Sequence, residues 1–250
     1  MEKAFATEEF FYGPSAWIDR FEHITIPLLD NLATYLGRPQ VRHPDFIELC
    51  SGFWDLRQFT EQDMLAAGFQ RPYPNSQIPF GPIGLERERE WAHKAREVIK
   101  RVARQFPSPV TGRVRDGPVI SWRSLHVPPA RNQYTPFTRA PVMDRLSRLV
   151  MGELQAESRT HSRRMLSSGA AWRRRLGRLF GAGNEEQDEV DYGFDERLRI
   201  NEWGALLSGH PDRFRDFLHP SPLPGGYLWG DIMLDELQRA RSRQGRSSRV

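Results

Sequence analysis

A carboxylate three residues ahead of a histidine can hold the imidazole through its Nδ1–H, leaving Nε2 to take a proton from a serine. Asp216 and His219 have that spacing, in Asp216-Phe-Leu-His219-Pro220. The pair is short enough to occur by chance, and the plainer alternative is a surface hydrogen bond or a capping contact. Its position gives it weight: it falls in the last loop, after the last expected strand and before the last expected helix. A second run, Ser51-Gly52-Phe53-Trp54-Asp55, ends an apolar stretch. Glycine there would let the backbone come close to a bound group and offer an N–H to an oxyanion. The alternative is a strand-to-helix turn, with Asp55 as cap and Trp54 in the core.

Arg123 and His126, in Trp122-Arg-Ser-Leu-His126, form a third group at the end of a middle strand, where open α/β sheets bind ligands. The planar guanidinium of Arg123 would suit an anionic or sugar group. Equally, Arg123 could pair with a carboxylate such as Glu202, with His126 only capping the loop. The run Asn201-Glu202-Trp203-Gly204 reads as packing, with Glu202 as a pocket carboxylate. His23, His43, His93, His161 and His210 are scattered without metal-ligand spacing, so neither a metal nor another cofactor is expected.

Together these motifs resemble the SGNH (GDSL-like) hydrolase superfamily, in particular its PC-esterase-like branch. Gly52-Phe-Trp-Asp55 looks like a Trp-containing variant of the third sequence block, and Asp216 to His219 match the last block in type and order. Pro224-Gly-Gly-Tyr-Leu-Trp-Gly-Asp-Ile-Met-Leu234 looks like that branch's closing helix. The resemblance implies an acylated carbohydrate or lipid as substrate, with Asp216 and His219 as acid and base and the Gly52 amide as oxyanion donor. Trp54 stands where the family has Asn and donates only through its indole N–H. The first block, Gly-Asp-Ser, does not occur in the 250 residues. Ser15, in Gly13-Pro-Ser15, is the nearest serine, and it reads as a helix cap because no apolar strand precedes it. The expected protein is therefore an esterase-like domain, truncated or degenerate, with little or no turnover. The alternative is a non-catalytic binding or scaffold protein.

The elements that must position these residues follow from periodicity. Trp17, Phe21, Ile24, Leu28, Leu32 and Leu36 predict a helix over 15–36, kinked or broken near Thr25 by Pro27 and ended by Gly37. A buried strand is predicted at 45–52, and a short helix at 57–68. The strongest helix runs 85–106, with Trp91, Ala95, Val98, Ile99 and Val102 on one face. A strand at 118–125, a helix at 141–156, a strand at 197–203 and a closing helix at 228–241 complete the order. Strands alternating with helices predict a single α/β domain: an SGNH- or flavodoxin-like, mainly parallel sheet covered on both faces, its first strand missing. Residues 159–192 read as a charged, partly disordered insertion, and 242–250 as a basic disordered tail.

Charge adds little. Thirty-six basic and 32 acidic side chains give +4, concentrated between Arg159 and Arg178 and between Arg239 and Arg249. No nucleic-acid motif accompanies these clusters, so nucleic acid is not an expected partner; the insertion could instead touch an acidic partner or a membrane surface. No apolar run reaches the length of a membrane span. The single Cys50 excludes an internal disulfide.

Overall fold

The computed structural model describes residues 18–69, 81–127, 138–167, 190–215 and 219–247. Among them three parallel strands lie in the order β1 (Phe46–Leu49), β2 (Val119–Arg123) and β3 (Leu198–Asn201). Seven α-helices accompany them: α1 (Ile26–Leu36), α2 (Phe53–Ala66), α3 (Leu85–Gln105), α4 (Ala140–Ser167), α5 (Phe194–Arg197), α6 (Trp203–Leu207) and α7 (Tyr227–Ser247). The expected mainly parallel α/β architecture is the observed one.

The two faces of the sheet differ in chemistry because side chains alternate along each strand. Leu49 lies in register with Trp122 and Trp122 with Ile200, which places these apolar residues on one face. There α3 contributes Trp91, Ala95, Val98, Ile99, Val102 and Ala103, and α4 contributes Met143, Val150, Met151 and Leu154, all buried in one core. Trp91 meets Trp122 edge-on at 5.9 Å between ring centres. The opposite face carries Glu48, Ser121 and Arg199 in one row and Arg123 beside Asn201 in the next. Helix α7 meets this polar face with matched groups, Glu236 pairing with Arg199 at 3.3 Å.

Several boundaries differ from the sequence reading. Ahead of Pro27, which has no N–H to continue the helical ladder, the chain takes a π-helical turn at Phe21–Thr25 before α1 begins. Gly37 ends α1 in the left-handed conformation, φ 61°. Helix α2 starts at Phe53 rather than 57, because Gly52 turns the chain directly from β1 into the helix. Helix α4 continues past 156 to Ser167, so the start of the segment assigned to an insertion is helical. The closing helix likewise reaches Ser247 instead of stopping at 241, extending into the segment read as a disordered tail. Arginine, a strong helix former, recurs in both extensions, at Arg159, Arg163 and Arg164 and at Arg243 and Arg246, and helps carry each helix on without an apolar stripe. Residues 168–189 and 248–250, holding the rest of those two segments, lie outside the described residues, as does Ser15. Among the described residues no helix is long and apolar enough to cross a membrane.

Candidate functional site

The strands end together at Leu49, Arg123 and Asn201, and the loops that follow bring Cys50 to Gly52, Ser124 to His126 and Glu202 to Trp203 to one end of the sheet. Gly52 makes the sharp exit from β1 with φ 131°, a conformation that L side chains rarely adopt. A Cβ there would also stand 2.4 Å from a methyl of Leu125. Helix α6 is held in the same way: a Cβ on Gly204 would meet the Ser124 carbonyl at 2.1 Å, so only glycine lets α6 lie against the loop after β2.

Asp55, one turn into α2, is buried and accepts a 2.7 Å hydrogen bond from the Ser51 hydroxyl. Burial pushes its carboxyl above the ordinary aspartate value of 3.8, against the Ser51 hydroxyl, the Trp91 indole and the backbone N–H groups of Asp55 and Gly52. Trp54 points outward, 47% exposed, with the Arg57 guanidinium 5.4 Å above its ring, so it does not fill the core as the alternative reading required.

A pH-dependent prediction arises here. A carboxyl whose pKa is raised by folding keeps its proton longer in the native state than in the unfolded chain. Its contribution is most favourable below 3.8 and declines as pH climbs through the higher native value. Asp55→Asn keeps an acceptor for Ser51 and removes the titration. Denaturant unfolding across pH 3 to 8 is therefore expected to show the variant gaining on the wild type as pH rises above about 4. A constant difference across that range would contradict the assignment. Asp63 and Glu202 act in the other direction. Partial burial raises Asp63, but hydrogen bonds from Arg139 and Arg87 outweigh it and hold the carboxyl below 3.8. Hydrogen bonds from Arg148 hold Glu202 below 4.5. Their support is present above those values and lost as pH falls through the lower native ones, leaving an acid limb that the variant retains.

Arg123 ends β2 in the middle of the site. Its partner is Glu48 at 3.5 Å, not Glu202, which is engaged by both terminal nitrogens of Arg148 at 2.7 and 2.6 Å. Glu48 also accepts the Asn201 amide at 2.6 Å and the Trp229 indole at 3.0 Å. The Arg123 guanidinium lies over the rings of Trp203 at 5.2 Å and Trp229 at 5.9 Å. Burial pushes the neighbouring Cys50 thiol above its ordinary range, opposed by Arg123. Glu48, Asn201 and Trp229 were not singled out from the sequence as a site. The available signal was a charged residue inside Phe46-Ile-Glu-Leu49, since a carboxylate in a strand of a parallel sheet has to find donors.

His126 does not face the cleft. It is 4% exposed and packed among Phe53 at 4.6 Å, Phe214 at 5.1 Å and Trp203 at 5.8 Å. It holds the loop after β2 against α2 and α6. His219 lies on the surface, in a loop closed by the Phe214–Pro220 bridge and by the Arg215 N–H donating to its carbonyl at 2.8 Å. Asp216 falls outside the described residues, so its relation to His219 does too. Trp203 ties this region to α6 by donating its indole N–H to the Gly225 carbonyl at 2.9 Å.

A cleft of about 460 Å³ opens beside β1. Every residue from Ile47 to Asp55 lines it, together with Arg123 and, from the π turn and its approach, Arg20, Phe21 and Thr25. Gly52, Trp54, Asp55 and Arg123 thus share one cavity; His126 and His219 are not among its lining residues. Compared with models of known families, with curated proteins and with solved structures, the chain matches none.

Proposed function

We propose that this chain is an SGNH-hydrolase-like domain, related to O-acyl esterases, that holds an acylated carbohydrate or lipid at the carboxyl end of its sheet with little or no hydrolysis. The observation that carries this reading is the cleft beside the Ser51–Asp55 loop. A glycine at φ 131° leads out of a parallel strand there, and Arg123 from the next strand supplies a guanidinium to the same cavity. Guanidinium forks suit the carbonyl and hydroxyl oxygens of an acylated sugar, and Phe21, Phe53 and Trp54 offer apolar surface for the acyl group. The low turnover follows from the residues: a histidine relay needs a nucleophile, and the chain contains no Gly-Asp-Ser.

The test is intact-mass analysis after exposure to a fluorophosphonate serine probe, alongside hydrolysis of p-nitrophenyl acetate. The expected result is an unmodified protein and no hydrolysis above that of His219→Ala. A stoichiometric adduct lost in His219→Ala would make the chain an active serine esterase and overturn the reading, with Ser51 the first residue to map. Calorimetric titration with an acetylated oligosaccharide tests the binding half. Binding is expected, and it should weaken in Arg123→Lys, which loses the planar fork but keeps the charge. No heat with any acylated ligand would remove the binding half.

A further inference from the structure

A pocket of about 320 Å³ lies where α3, α4 and the segment Val190 to Phe194 meet, and it shares no lining residue with the cleft beside β1. Lys100 and Arg104 are four residues apart on α3, so they project from one face of that helix. Both cations lie over the same ring. The Tyr192 ring centre is 5.9 Å from the Lys100 Nζ and 5.4 Å from the guanidinium carbon of Arg104. Tyr192 is in turn stacked on Phe194 at 4.9 Å, which holds the ring in place. Two positive groups gathered at one ring repel each other, and the ring quadrupole offsets only part of that cost.

The carboxylates of the pocket are engaged elsewhere. Asp191 accepts from Arg115 at 2.6 Å and from the Gly193 N–H at 3.0 Å. Glu157 is taken by Arg96 and meets Lys100 only at 3.5 Å. Arg104 forms no ion pair among the described residues. The buried Tyr192 hydroxyl has no acceptor among them either, and the adjacent guanidinium cannot serve, because it has donors only. Burial pushes this phenol above its ordinary value of 10, with Arg104 acting against burial and Glu97 with it, so the O–H is intact at neutral pH. A guanidinium, an ammonium and a phenol therefore meet at one cavity that is short of acceptors. Leu154, Val190 and Phe194 supply its apolar part.

We infer that this pocket binds a small organic phosphate, its phosphate group against Lys100, Arg104 and the Tyr192 hydroxyl and its apolar part against Leu154, Val190 and Phe194. A phosphate monoester carries close to two negative charges at neutral pH and three strong acceptor oxygens, which matches two cations and a phenol better than a carboxylate does. The volume falls at the small end of the range for small-molecule sites, roughly 300–1,000 Å³, which favours a compact guest. The inference goes beyond the esterase-like reading: none of the residues assigned to that reading lines this pocket, so either can fail without the other.

The probe is phenyl phosphate, titrated calorimetrically into the full chain at neutral pH in a phosphate-free buffer, with inorganic phosphate and phenylacetate in parallel. Phenyl phosphate is expected to bind at a single site, about tenfold more tightly than either comparison ligand. Arg104→Gln is expected to weaken it about tenfold, and Tyr192→Phe, which keeps the ring and removes only the O–H, about fivefold. Circular dichroism confirms that each variant is folded; Arg104 is exposed, so its variant keeps the test open if Tyr192→Phe is not. Phenylacetate binding as tightly as phenyl phosphate would overturn the phosphate assignment, and inorganic phosphate doing so would remove the apolar half. Undiminished affinity in Arg104→Gln would place the ligand elsewhere and overturn the site. No heat with either phosphate would overturn the inference as a whole.

Discussion

Glu48→Ala is expected to destabilise the folded domain by about 3 kcal/mol, while Glu48→Met combined with Arg123→Met costs far less. The reason is the donor set around one carboxylate. Glu48 receives the Asn201 amide, the Trp229 indole and the Arg123 guanidinium, with its own side chain 9% exposed. Removing it strands the Asn201 amide and the Arg123 guanidinium in a poorly hydrated place, while the Trp229 indole, 36% exposed, can turn to water; leaving a buried donor without an acceptor carries the full desolvation penalty. Because Arg123 keeps a quarter of its side-chain surface, 25%, the loss falls at the lower end of the range for broken buried pairs. The double replacement removes both charges and fills their volume, and the tryptophan rings that now cover the guanidinium can pack against a methionine. Urea unfolding of the two single variants and the double variant measures the coupling directly. A loss below about 1 kcal/mol for Glu48→Ala would mean that water serves these donors and that the network does not organise the sheet end.

Gly52→Ala is the second large effect, about 2–4 kcal/mol, with loss of any ligand binding in the cleft. Two costs coincide at this residue. Its φ of 131° is strained for any residue with a Cβ, and that Cβ would stand 2.4 Å from a methyl of the buried Leu125. Leu125 could retreat, but only by disturbing the loop that carries Arg123 and His126 into place. Gly68→Ala is the matched control. Gly68 also has positive φ, 83°, but a Cβ added to it would meet nothing within 4 Å, so the variant reports the backbone cost alone. Thermal unfolding of both variants separates the two costs. Equal shifts in the midpoint would show that the Leu125 contact contributes nothing.

The apolar periodicity of 85–106 was enough to place α3 and to identify its core face, because a 3.6-residue repeat of large apolar side chains between charged ones has a single satisfactory burial. The parallel α/β class was equally legible, from short apolar runs spaced by helical segments. Pro27 and Gly37 announced a break and an end through backbone chemistry that acts locally. Gly52, Trp54, Asp55 and Arg123, singled out from the ends of two expected strands and the residues just after them, line one cleft in the structure.

What the chain pattern left open depends on partners far apart in sequence. Arg123 could have met Glu202 or another carboxylate; the register of β1 against β2 chose Glu48, and Arg148 of α4 took Glu202. His126, expected to project into the site, is buried among three aromatic rings, and Trp54 is exposed, because the direction of a side chain follows from the turn at Gly52 and the packing of α2 and α6 around it. That β1 pairs with β2 alone among the described residues could not be read from Phe46–Leu49 by themselves. Whether a strand has one neighbour or two is a property of the sheet, decided where the backbone hydrogen bonds are made.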